Sequence, residues 1–416
     1  MGSEWQTIKL SDVLGKSGYI RGPFGSALRR PELKSEGIPV YEQQHAIYNT
    51  RTFRFFIDED KFNELSRFTV QENDLIISCS GTLGKVSLIR KDDPKGIISQ
   101  ALLILRPDTN IMTSKYLYYF ISSFKGYHSL VSVSSGSVQV NIAKRSVIES
   151  IELLVPPVAE QRAIAAILGA LDDKIELNTQ MNETLEAMAQ ALFKSWFVDF
   201  EPFRDQGMQD SPLGPIPRGW RLGSVGEIAI NERRGADPST LPDDTPYIGL
   251  EHMPRGSIVL DAWESVANVT SNKFAFKRRE ILFGKLRPYF RKVGIAFIDG
   301  VCSSDILVIR PTATRWFSFL ICQLSRKEFI DYTDAVSSGT KMPRVNWLEM
   351  AKYKLPLPVP EMAYMFDQHV RPLVDRMEAN TLESRTLAAI RDILLLKLLS
   401  GEIRVKDTKK FVEGKR

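Results

Sequence analysis

The sequence predicts an α+β protein: two similar mixed α/β domains joined by two long antiparallel helices that form a coiled-coil spacer, an internal pseudo-two-fold repeat. Three observations predict this. A helical phrase is written twice, as LDDKIELNTQ over Leu171–Gln180 and LVDRMEANTL over Leu373–Leu382, 202 residues apart. Each phrase lies in a long stretch whose apolar residues recur in steps of three and four, the spacing of one helix face. Each stretch follows a region of short β-branched and aromatic runs, such as DLIISCS and ALLILRP, punctuated by Gly, Pro and Asp. Such runs read as strands between turns.

The repeat extends through the strand-rich regions. IPVYEQQHA (Ile38–Ala46) resembles TPYIGLEHM (Thr245–Met253), which sets His45 against His252. ALLILRP (Ala101–Pro107) matches DILVIRP (Asp305–Pro311), and LLVPP (Leu153–Pro157) matches LPLPVP (Leu355–Pro360). SSGSVQVN (Ser134–Asn141) matches SSGTKMPRVN (Ser337–Asn346) with two residues inserted. A unit of about 200 residues is far longer than a solenoid repeat, so the pattern is that of a duplicated domain. The expected boundaries are heads at 1–155 and 219–358, helices at 156–203 and 359–403, a linker at 204–218 and a tail at 404–416. The linker is marked by the polar, proline-rich run RDQGMQDSPLGPIPRGW.

Between Val158 and Phe200 there is no proline and one glycine, Gly169. Ile164, Leu168, Leu171, Ile175, Asn178, Asn182, Leu185, Ala189, Leu192 and Trp196 form a heptad stripe. A helix of that length spans roughly 60 Å at 1.5 Å per residue. The second stretch repeats the spacing through Phe366, Val370, Leu373, Met377, Asn380, Ser384 and Leu387, then slips at LLLKLL. One such stripe cannot be buried alone, so the two helices are expected to pack on each other. Asn178 and Asn380 occupy matching positions, either as buried residues that fix register or as solvated residues at a loose seam.

Composition narrows the function. Hydrophobic content is 43%, charged content 25% and net charge +5, ordinary for a soluble globular protein. No apolar run approaches the ~18 residues of a membrane span, the N-terminus MGSEWQTIKL has no secretory h-region, and a cytoplasmic location is expected. Three scattered cysteines make neither a disulfide framework nor a zinc site, and no metal site is expected from four widely spaced histidines. No phosphate-binding loop, dinucleotide fingerprint, zinc-protease helix or nucleophile elbow is present. EDK (Glu59–Lys61) and DDK (Asp172–Lys174) read as surface charge clusters. No catalytic residue is expected.

Positive charge is concentrated. SNKFAFKRREILFGKLRPYFRKVGI (Ser271–Ile295) holds eight Lys or Arg against the single acid Glu280. Such a stripe neutralises phosphates and carries side chains that reach base edges. The DNA-contact candidates of the second head are His252, Arg279, Lys285, Arg287, Thr340, Lys341 and Arg344. Those of the first are Gln43, Gln44, His45, Lys85, Ser137, Gln139 and Lys144, with Arg29, Arg30, Lys34 and Arg145 nearby in sequence. The SSGS and SSGT loops add hydroxyls and backbone N–H groups suited to phosphates. For His45 and His252 a structural hydrogen-bond role and a DNA-facing role are both open.

PPVAEQRAIAAILGALDDKIELN (Pro156–Asn178) and LLLKLLSGEIRV (Leu394–Val405) resemble the two helical regions of Type I restriction-modification specificity subunits, and the heads resemble that family's target recognition domains. The resemblance spans nearly the whole chain, on the motif PPxxEQRxIAxxLxxLD. It implies a non-catalytic subunit that binds double-stranded DNA at a bipartite target, one half-site per head, with the helices as a ruler. It also implies docking of two modification subunits, which methylate adenine, and of restriction subunits. S-adenosylmethionine, ATP and Mg would belong to those partners, and no cofactor to this chain. The candidate spacer and docking residues are Gln161, Arg162, Leu171, Ile175, Asn178 and Leu185, then Leu373, Met377, Asn380 and Leu387. Ile167, Leu177, Met181 and Met188, beside the seam, favour a docking face. PVPEMAYMFDQHV in the second copy lacks the EQR triplet, so that contact does not carry over. Two rival readings stand beside it: a stand-alone DNA-binding regulator and a coiled-coil adaptor.

Overall fold

Each head is built on two small sheets, as the alternating runs require. The structure is a computed structural model that describes residues 5–15, 17–133 and 140–405. It divides into two units, one of residues up to Asp172 with those from Ala389 onward, the other Asp173–Ala388.

In the first unit, an antiparallel sheet runs in the order Tyr19–Arg21, Leu102–Leu105, Leu75–Ser78, Val86–Leu88. Its two central strands are buried on both faces. Leu75, Ile77, Leu103 and Leu105 point into one core and Ile76, Leu102 and Ile104 into another, the period-2 alternation of a pleated strand. The second core lies under a smaller sheet in which Ile38–Tyr41 pairs antiparallel with Phe56–Ile57 and parallel with Ile97–Ile98. Gln6–Lys9 pairs with Glu152–Val155, tying the beginning of the head to its end.

The second unit repeats the plan. Its antiparallel sheet runs Ala229–Glu232, Ile306–Pro311, Ile281–Gly284, Val293–Ile295, with Ile281, Phe283 and Ile309 in one core and Leu282, Ile306 and Val308 in another. Arg221–Ser224 pairs with Lys354–Leu357 as the closing ribbon. Each head also carries a helix pair, Ser114–Ser122 with Phe124–Leu130 in the first and Phe317–Ser325 with Lys327–Ala335 in the second.

The long helices are Val158–Phe197 and Pro360–Leu399, and each contributes to both units. In the first unit, Ile164, Ala165 and Leu168 from one helix and Leu395 and Leu398 from the other complete the head's core. In the second, Ala189, Phe193 and Phe197 do so with Phe366, Val370, Val374 and Met377. Within that unit the helices are antiparallel: Phe193 meets Phe366 at 5.9 Å between ring centres, Asn182 meets Asn380, and Asn178 meets Glu383 and Ser384. The asparagines are buried at this seam. Asn178 donates to Glu383 at 2.9 Å and accepts from Lys174 at 3.0 Å, while Asn380 donates to Asn182 at 2.9 Å. These bonds exist in one register only, so the register-fixing reading holds. Both residues are therefore enclosed and present nothing to a partner.

Three expectations change. The buried stripe is wider than the heptad reading, because each helix packs on a head as well as on the other helix. Leu171, Ile175, Leu185, Leu373 and Leu387 are only half-buried, whereas Phe193, Phe197 and Val374 are enclosed. The expected linker is instead folded onto the second unit. Met208–Gln209 pairs with Ile216–Pro217, and Phe203, Ile216 and Trp220 are buried in the core with Phe197. Gln161, a docking candidate, is fully buried. It accepts from the Thr113 N–H at 2.8 Å and donates to the carbonyls of Ile111 and Pro156, both at 2.9 Å, so it latches the head to the helix and cannot meet a partner. Its neighbour Arg162 is exposed. Ser137 and Gln139 lie outside the described residues.

The EQR triplet thus acquires a physical meaning. Glu160 accepts from the Trp5 indole N–H at 3.0 Å and from Arg404 through both oxygens at 2.9 and 2.8 Å. The second copy solves the same problem with different residues. Asp367, buried, accepts from the Ser318 hydroxyl at 2.7 Å at the start of a head helix and is itself held by Arg371.

Candidate nucleic-acid interface

The basic stripe does not form one surface. Ile281–Gly284 passes through the core with every residue buried, and the charges fall on either side of it in the chain. Before it, Lys277 pairs with Asp299 at 3.0 Å and Arg278 with Glu378. Arg279 reaches Asp375 at 2.5 Å and Glu378 at 2.7 Å. Arg279 is thereby corrected: both acids stand on the long helix, and its guanidinium fastens the head there instead of facing DNA. Lys273 is buried, its ammonium donating to Ser271.

Burial works against ionisation of Glu378, yet the hydrogen bonds from Arg278 and Arg279 outweigh it and hold the carboxyl below its usual range. A carboxyl depressed on folding contributes stability above its unfolded pKa and loses it as pH falls through the folded value. Protection against amide exchange over 277–280 in the intact chain, relative to the unfolded-chain rate at each pH, is expected to be greatest at neutral pH and to fall once pH drops below about 4. Glu378→Gln should remove that acid dependence, and an unchanged profile in the variant would refute the linkage.

After the buried strand the arrangement differs. Lys285, Arg287, Tyr289, Arg291 and Lys292 occupy the loop between Ile281–Gly284 and Val293–Ile295. The SSGT segment folds back against it. Ser338 bridges to Arg344, Leu286 bridges to Arg344, and the Arg287 N–H donates to Pro343 O at 2.8 Å. Thr340, Lys341 and Met342 stand exposed at the tip. Arg287 also donates to Lys341 O at 3.3 Å, and its buried Nε finds no acceptor among the described residues. Arg344 pairs with Asp305 at 3.0 Å. The loops border an open cleft of about 730 Å³ with Asn231, Arg233, Lys285, Asn346 and Trp347 on its walls. Lys285, Arg287, Thr340, Lys341 and Arg344 are therefore brought together as the sequence suggested, and among the described residues Asp305 is the one acid in ion-pair contact with them.

The matched histidines have a common role. His45 is fully buried; its Nδ1 accepts from the Glu42 N–H at 2.7 Å, its Nε2 donates to Thr52 O at 3.2 Å, and it stacks on Phe53 at 4.5 Å. Burial pushes its pKa down, against the opposing hydrogen bonds of Glu42 and Thr52. Its DNA-facing alternative is corrected to a neutral structural cap. His252 caps the equivalent turn, accepting from the Gly249 N–H at 2.9 Å, with Glu264 at 3.4 Å from its Nε2.

In the first head, Gln43 and Gln44 are half-buried, and Gln44 donates to Thr52 O at 3.3 Å. Lys85 is exposed at the rim of a cleft of about 390 Å³ shared with Tyr118, Phe124 and Tyr127. Lys144 is exposed, while neighbouring Arg145 is engaged by Glu149 at 2.7 Å. On the helices, Leu177, Met188 and Leu382 are exposed in the second unit and Ile390, Ile393 and Leu396 in the first. Ile393 and Leu396, the most exposed of the set, lie immediately before and within the slipped LLLKLL (Leu394–Leu399), and the slip was their only trace in the sequence. Among the described residues no helix is long and apolar enough to cross a membrane.

Two sheets in each head, the repeat of that head, and helices shared by both units define a fold class with a solved example. The Type I restriction-modification S subunit from M. genitalium aligns over 95% of this chain and 96% of its own, with a TM-score of 0.55 at 16% identity. Residues 2–187 match the family model described as Type I restriction modification DNA specificity domain. The HindI specificity subunit of Haemophilus influenzae is 26% identical over 77% of this chain and 84% of its own length. The MjaIX specificity subunit of Methanocaldococcus jannaschii is 26% identical over 97% and 94%. The chain is thus similar over most of its length to Type I restriction-modification specificity subunits, and its first part matches their DNA specificity domain.

Proposed function

We propose that this chain reads a bipartite double-stranded DNA target, one half-site per head, and docks two modification subunits and the restriction subunits through its helices. The observation that carries the reading is the clustering of Lys285, Arg287, Lys341 and Arg344 on two interlocked loops of the second head. Lys85 and Lys144 supply exposed charge in the first. Lysines on flexible stems bind phosphate and set affinity, whereas the more constrained arginines suit base edges. The exposed residues Leu177, Met188, Ile390, Ile393 and Leu396 support docking. In this reading S-adenosylmethionine, ATP and Mg are held by the partners, and the assembly works in the cytoplasm.

The test is selection from randomised duplexes by the chain co-purified with its modification subunit. Two short blocks with a fixed gap are expected. A single contiguous block would favour a stand-alone regulator, and no enrichment would favour an adaptor. In the same complex, Lys341→Ala should weaken binding to all sequences alike and lower the slope of log affinity against log salt by about 1. An unchanged slope would remove Lys341 from the phosphate contacts.

A further inference from the structure

The loop between Ile281–Gly284 and Val293–Ile295 is bracketed by two arginines in the left-handed region, Arg287 at φ 51° and Arg291 at φ 55°. Non-glycine residues rarely adopt that conformation unless their surroundings impose it. Here Arg287 is fixed by the bonds to Pro343 and Lys341, and the Arg291 carbonyl accepts from the Gly256 N–H at 3.0 Å. The short turn Pro288–Phe290 held between them presents one large side chain outward: Tyr289 is 47% exposed. Its ring is not loose. It lies edge-on to Phe290 at 4.7 Å, and Phe290 carries the Arg255 guanidinium at 3.9 Å. The result is an oriented aromatic ring on a turn flanked by Arg287 and Arg291, with Arg255 on the neighbouring Phe290 and the Lys341 segment bonded to Arg287.

We infer that Tyr289 is a specificity-determining residue of the second head, its ring packing on the 5-methyl group of one thymine in the major groove. The inference rests on the DNA-reading function proposed above. The surrounding cations direct the loop to a phosphate-lined groove. In an intact duplex the base faces are stacked and closed to an aromatic ring, and the apolar group that the major groove exposes is the thymine methyl.

The experiment uses the complete complex and the duplex recovered by selection. Replacing single thymines by deoxyuridine removes only that methyl. One such change in the second head's half-site should weaken wild-type binding roughly fourfold, the loss of one buried methyl. Tyr289→Ala should lose the base preference there and show no deoxyuridine effect, Tyr289→Phe should keep both, and the other half-site serves as the internal control. Insensitivity of the wild type at every thymine, a half-site without thymine, or unchanged preferences in Tyr289→Ala would overturn the inference. Insensitivity combined with a bend in the bound duplex would do so too, placing Tyr289 as a wedge between base steps. Loss of any bipartite consensus in the wild type would instead defeat the underlying DNA-reading function, and this assignment with it.

Discussion

Gln161→Ala is expected to destabilise the first unit by about 3 kcal/mol. The side chain is fully buried and joins the Thr113 N–H to the carbonyls of Ile111 and Pro156. Truncation leaves a donor and two acceptors without partners, each costing roughly 1–3 kcal/mol when enclosed. Ile111 is partly exposed, so water recovers that bond; the two remaining groups sum to roughly 2–6 kcal/mol, and a total of about 3 kcal/mol lies in the lower half of that range. The measurement is urea denaturation with amide exchange followed over Ser114–Ser122, the helix that begins beside Thr113. Arg162→Ala, at the exposed neighbouring position, should change stability by less than about 0.5 kcal/mol. If the two variants behave alike, the latch is not what Gln161 provides.

Phe366→Ala should cost about 4 kcal/mol, in the second unit. The ring is fully buried, with Phe197 at 4.8 Å, Trp196 at 5.8 Å and Phe193 at 5.9 Å between centres. These residues come from the other long helix, so truncation leaves a cavity at the junction between helices and head. Phe→Ala changes in rigid cores cost roughly 3–5 kcal/mol because neighbours relax only in part. Near-UV circular dichroism should report lost order around Trp196, alongside a lower urea midpoint. A loss under about 1 kcal/mol with an unchanged near-UV spectrum would mean that the junction collapses to fill the space.

The repeated architecture was legible because it rests on local pattern. The runs holding Leu75–Ser78 and Leu102–Leu105 become fully buried strands, and the repeated phrase sits in two 40-residue helices. The use of charge was not legible, because an arginine's partner is set by tertiary distance. Arg279 and Lys285 look alike within KRREILFGK, yet Arg279 meets Glu378, 99 residues away in sequence, and Lys285 lines an open cleft. Gln161 misled for a related reason: its motif is specific, but the specificity serves the join of helix to head. The role of the histidine pair was legible in principle, since a matched histidine four residues after a strand end, three after the N–H it caps, suits a turn cap. Nothing in the sequence pointed to Tyr289 as distinct from the other aromatic residues around it.

The sharing of both helices between the units has a consequence for the order in which the protein is made. The second unit is continuous in sequence, Asp173–Ala388, whereas the first also needs residues from Ala389 onward. Leu395 and Leu398 fill its core, and Arg404 closes on Glu160. A ribosome adding about 5–20 residues per second needs roughly 10–40 s to travel from Asp172 to Ala389. Throughout that interval the first head is synthesised but unfinished, its core open along the face that the last helix will cover. The part of the chain born first is completed last, after the later-born unit has all of its own residues.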